Sequence, residues 1–203
     1  MQVNEFWSLV EKARADVSGE GVRWPSGSVI GRALAVRLAQ LPAERIVEFY
    51  YRYHRVVARA HQWGCCAAAY VIWGYISDDT FSDFKAGLVG LGREAFAQVV
   101  ADVDALADHP MVQAIAAGQV DRFALSAEEI QFAASYAFER HSDDADAFWE
   151  ALKTQPDEPD GEEEPAAGCE WSGRFGSADD AAQIPLRLPR LLALFPERVS
   201  GQR

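Results

Sequence analysis

Apolar side chains recur at three- and four-residue intervals along most of the chain, the period of helices with one buried face. Phe6, Val10, Ala13 and Val17 follow Asn4, a residue type that caps helix starts, and Trp7 widens their stripe. A stretch bearing glycine and proline, Gly19 to Gly27, interrupts the pattern, and Ile30, Leu34, Leu38 and Leu41 resume it. Pro42 suits the first turn of a third helix, where its missing donor is not needed. Ile46, Phe49, Tyr53 and Val57 give that helix an inner face, with Arg45, Arg52, Arg55 and Arg59 on its other faces. From Cys65 to Ile72 the chain is apolar on every side, which predicts a central helix walled in by its neighbours, with Tyr70, Val71 and Ile72 largely buried. Phe81, Phe84, Leu88 and Leu91 mark a helix ending at Gly90 or Gly92, and Phe96, Val99 and Val100 mark another. Ser126 with Glu129 three residues later has the form of a capping box ahead of Ile130, Ala133, Ala137 and Phe138. Strand-like alternation is nearly absent. The expected fold is all-α, a single compact multi-helix domain.

The 203 residues, 49% of them hydrophobic and 25% charged, suffice for one substantial core. Lys and Arg number 19 against 31 Asp and Glu, and the formal net charge of -12 repels a phosphate backbone, so nucleic acid is not an expected partner. Much of this excess is local, because Gln155 to Pro165 holds six acids, three prolines and no base. Such a segment has no apolar burial with which to offset its ordering entropy. It divides the chain into a helical domain (1–152), an acidic disordered linker (153–168) and a C-terminal arm (169–203). The arm is too apolar for a free tail, through Trp171, Phe175, Ile184, Leu186, Leu188, Leu191, Leu192 and Phe195, and is expected to pack back on the helical domain. The first ten residues lack the pattern of a signal peptide, and the longest apolar stretch, Cys65 to Ile76, falls short of the roughly 20 residues of a membrane helix. A cytoplasmic protein without a membrane partner is expected. Cys65, Cys66 and Cys169 have neither disulfide-framework nor zinc-site spacing.

The sharpest local feature is Trp73-Gly74-Tyr75-Ile76-Ser77-Asp78-Asp79-Thr80-Phe81, where the apolar helix gives way to a polar turn. Two readings are open. Ser77 can cap the next helix, with Asp78 and Asp79 in its first turn where the helix dipole favours negative charge. Alternatively, Asp78 and Asp79, joined by Asp83 one turn beyond, form a binding site beside Trp73 and Tyr75 for a divalent cation or for acid–base chemistry. The later string His141-Ser142-Asp143-Asp144 reads as another helix start. His54 and His61, seven residues apart, would share a helix face and could meet in one pocket with Tyr50 or Trp63, although surface histidines without a role are commoner. The common nucleotide-binding, hydrolase and zinc-protease signatures are absent, so no catalytic residue, metal ligand set or cofactor is implied.

Phe6-Trp7, Ala68-Ala69-Tyr70-Val71-Ile72 and Ser77-Asp78-Asp79-Thr80-Phe81 occur in an order that resembles the bacterial family known as domain of unknown function 4240. Phe84-Lys85, Asp102-Val103-Asp104-Ala105-Leu106-Ala107 and Leu188-Pro189-Arg190-Leu191 extend the resemblance. Tyr75 stands where that family usually has a second glycine, Lys85 where it has Arg, and Gly87 where Trp is common. The resemblance implies no activity. Two functional expectations follow from the residues themselves. The first is a protein-interaction module of adaptor or immunity type, binding a protein partner through exposed aromatics and a negative field. The second is a small-molecule enzyme or sensor with a pocket at the Ser-Asp-Asp block, dependent on a divalent cation.

Overall fold

Helix follows helix wherever the apolar period runs. The computed structural model describes residues 1–19, 24–142, 144, 146–154 and 175–197. Its elements are α1 (Val3–Val17), α2 (Gly27–Leu38), α3 (Ala43–Ala58), α4 (Trp63–Trp73), α5 (Asp78–Gly90), α6 (Arg93–Ala101), a 3-10 segment (Val103–Asp108), α7 (Pro110–Ala116), a second 3-10 segment (Arg122–Leu125), α8 (Glu128–Gln131), α9 (Ala133–Phe138), α10 (Ala147–Thr154), α11 (Ala178–Arg187) and α12 (Pro189–Leu194). No strand occurs among the described residues, and the fold is all-α.

The α4 helix is the centre, as its uniform apolarity requires: every residue from Cys65 to Trp73 is buried except Tyr70, which is half-buried. Burial pushes the Cys66 thiol up to about 12, so the adjacent cysteines serve as core volume. Helix α4 packs against α5, both 3-10 segments, α11 and α12, while α1 lies along α2, α2 packs on α8 and α9, α3 on α9, and α5 on α8. Phe6 stacks on Phe49 with ring centroids 4.9 Å apart, and Trp7 meets Phe96 at 5.4 Å, which ties α1 to α3 and α6.

Several sequence expectations shift. Helix α1 begins before Asn4, with Gln2 as its N-cap, and Asn4 Oδ1 instead accepts a hydrogen bond from the Arg93 side chain at 2.7 Å. Pro42 is the N-cap of α3 rather than its first helical residue. Arg52 is buried, not surface, and its Nε–H donates to the Met1 carbonyl at 2.9 Å. The Ser126–Glu129 box does not form. Ser126 closes the second 3-10 segment, Ala127 becomes the N-cap of α8, and Glu129 turns to Arg32 on α2 at 3.3 Å. The helix expected onward from Ile130 breaks at Phe132, whose φ of -97° and ψ of 7° separate α8 from α9.

The helical region continues through Lys153 and Thr154, while the rest of the acidic segment and Trp171 lie outside the described residues. In the C-terminal arm, Ile184, Leu188, Leu191 and Phe195 join the core, whereas Leu186 points out, 73% exposed. Helix α12 is held from a distant part of the chain. The buried Asp104 carboxylate accepts the N–H groups of Arg190 at 3.2 Å and Leu191 at 2.9 Å, satisfying first-turn donors that no local side chain reaches. Helix α11 is anchored through Trp63, whose Nε1–H donates to Asp180 at 2.6 Å and whose ring lies under Arg187.

Candidate functional site

The chain leaves α4 at Gly74, where a φ of 86° turns it sharply outward in a conformation that residues with a Cβ avoid. Ser77 then starts α5. Its Oγ accepts the Thr80 N–H at 3.2 Å, and Thr80 Oγ1 accepts the Ser77 N–H at 2.8 Å, a reciprocal cap with threonine in the usual glutamate position. Asp78 and Asp79 are exposed in the first turn. Asp83 is half-buried against α8. Burial, followed by the Glu128 carboxylate, holds its carboxyl above the usual range, and Ser126 Oγ lies 3.5 Å away. Among the described residues, no group of three or more His, Cys, Asp or Glu side chains is arranged to hold a metal ion.

The other expected site residues scatter. Trp73 is a core wall, 1% exposed, with its Nε1–H donating to the Arg122 carbonyl at 2.7 Å and its ring edge-on to Phe84. Tyr75 is exposed and meets the Phe123 edge. Helix α3 ends at Ala58, short of His61, and the Lys85 cation lies near enough to both His54 and His61 to lower their pKa values after desolvation. His61 lies by Phe81, with Lys85 Nζ 3.5 Å from its Nδ1. The His54 ring is tilted against Tyr50 with centroids 4.3 Å apart; desolvation of the covered part of its ring, then the Lys85 cation, lowers its pKa.

Capping geometry makes Ser77→Ala the costliest change in this block. A loss of about 1 kcal/mol is expected, against a few tenths for Asp78→Asn or Asp79→Asn, where the lost dipole interaction is partly offset at Asp79 by relief of its repulsion with Asp83. Thermal melts of the three variants check the order, and a neutral Ser77→Ala would contradict it.

Two cavities lie elsewhere, and neither is lined by Ser77, Asp78 or Asp79. One, of about 120 Å³, sits between α1, α2 and α5 and includes Arg14, Trp24 and His109. The other, of about 140 Å³, opens between α3, α9 and α10. Its wall is aromatic: Tyr50 and His54 from α3, Phe132 ahead of α9, and Phe148 and Trp149 from α10. Phe148 is buried at its base, edge-on to Tyr50 at 5.4 Å and tilted on Phe138 at 5.4 Å. The Tyr51 hydroxyl donates to the Leu152 carbonyl at 2.6 Å, fixing α10 against α3. At the margin Trp149 is 46% exposed, and Tyr136, beside Phe132, is 45% exposed. Residues 128–154 carry seven acids against Arg140 and Lys153, while on the α3 side the Lys85 cation lies near enough to His54 to lower its pKa.

Of this face, only His54 and Tyr50 stand out in the sequence as site candidates. Its other signal was a pair of aromatics one helical turn apart, Phe132 and Tyr136, followed by Phe148-Trp149, more aromatic surface than two short helices can bury.

Residues 1–140 match the family described as protein of unknown function (DUF4240). The chain belongs to this family. In this DUF4240 protein the matched region runs from α1 through α9 and takes in the whole Ser77 block. Helices α10, α11 and α12 lie beyond it, as does Leu188-Pro189-Arg190-Leu191. No curated protein and no solved structure matches the chain.

Proposed function

We infer that this DUF4240 protein is a protein-interaction module that receives a basic partner on the aromatic face of α3, α9 and α10. The observation that carries the reading is the cavity of about 140 Å³ with Phe148 at its base and the half-exposed Trp149 at its margin. Large rigid aromatics gain most when a partner removes them from water, and a cavity beside them accepts one apolar anchor, the arrangement of an interface centre. Asp144, Asp146 and Glu150 are exposed on or next to α10, Glu150 paired with Lys153, and the acidic excess on this side favours a cationic partner over an acidic one.

Peptide titration tests this. A cationic amphipathic helix with leucines at positions i and i+4 is the probe, followed by calorimetry over a salt series. Binding is expected, weakening as salt rises. An otherwise identical peptide with its lysines exchanged for glutamates should not bind. Equal binding of the two peptides, or of neither, would defeat the reading.

A further inference from the structure

The second cavity, of about 120 Å³, has mixed chemistry that the aromatic face lacks. Trp24, Ile30, Leu91 and Leu125 give it apolar walls, while Arg14 enters from α1 and His109 from the start of α7. Arg14 is braced: its Nη1 donates to Glu11 Oε2 at 2.6 Å, and the other Glu11 oxygen accepts the Arg93 N–H at 2.9 Å. That leaves Nε and Nη2 of Arg14 without an acceptor among the described residues. His109 is oriented as well. Its Nδ1 accepts the Met111 N–H at 3.2 Å, which places the ring proton on Nε2, a donor. Burial first, and then the Arg14 charge, lowers the His109 pKa, in keeping with the unprotonated Nδ1 that this hydrogen bond requires.

We propose that this cavity binds a small organic monocarboxylate, taking the carboxylate on Arg14 and His109 and the short apolar body between Trp24 and Leu125. A planar guanidinium with free donors matches a carboxylate, and a neutral imidazole N–H adds a second donor without a second charge. A doubly charged phosphate fits less well, since Glu11 already offsets the Arg14 charge and most of the wall is apolar. The volume corresponds to roughly four water molecules, space for an acid with a few carbons and too little for a nucleotide.

Butyrate titrated into the full chain at constant ionic strength tests the site, read by the Trp24 indole and Leu125 amide resonances. Saturable shifts confined to the residues around the cavity are expected with butyrate. Butyramide and inorganic phosphate should leave these signals in place. Arg14→Gln is expected to weaken butyrate binding about tenfold or more, and Arg14→Lys, which keeps the charge but not the fork, less than that. Shifts of equal size with butyramide or phosphate, no shift with butyrate, or full affinity in a folded Arg14→Gln protein would overturn the proposal. Should Arg14→Gln not fold, the comparison of butyrate with butyramide on the unaltered chain decides.

Discussion

Val71→Asp is expected to abolish the folded state. Val71 is fully buried in α4, a helix that carries no charged side chain from Trp63 to Trp73. An unpaired charge there costs several kcal/mol even after its pKa shifts to neutralise it, a large share of the roughly 5–15 kcal/mol that holds a domain together. Circular dichroism should show loss of the cooperative melt. A soluble variant with an unchanged melting curve would remove α4 from the centre of the fold.

Gly87→Ala is the second large effect, and its sign opposes helix propensity. Alanine is favoured over glycine inside a helix by about 1 kcal/mol. At this position, however, α5 runs directly against the second 3-10 segment, and a Cβ would collide with the carbonyl oxygen of Leu125. Backbone, unlike a flexible side-chain end, cannot step aside without moving Ala124, Leu125 and the packing of Trp73 on Arg122. A net destabilisation of about 2 kcal/mol is expected from overpacking. Denaturant unfolding measures it, and a stabilised variant would mean that the two segments part easily.

The helices were legible because burial imposes its period on the sequence. Phe6, Val10 and Ala13, or Ile46, Phe49 and Tyr53, announce their helices unaided. What the pattern could not contain was the partner of each polar group. Ser126 and Glu129 have the spacing of a capping box, but Glu129 meets Arg32, a residue 97 positions away. Arg52 looks like one of four surface arginines until the Met1 carbonyl is brought beside it. Asp104 caps α12 across 87 positions, to the Leu191 N–H. The Ser77 block was readable as a cap because its contacts are local, Ser77 to Thr80. The aromatic face and the Arg14 cavity were not, since each assembles side chains from helices distant in the chain.

The claim on which the functional account rests is that the aromatic face serves binding rather than folding. The double variant Tyr136→Ala/Trp149→Ala separates the two, because both side chains are nearly half-exposed while Phe148 beneath them is left intact. Its melt should remain cooperative, each change costing about 1 kcal/mol for the partly buried ring it removes, too little to unfold the chain. Calorimetric titration with the cationic leucine peptide should show binding lost or weakened at least about tenfold, as expected when aromatic anchors leave an interface centre. Undiminished peptide binding by a stably folded double variant would contradict the account.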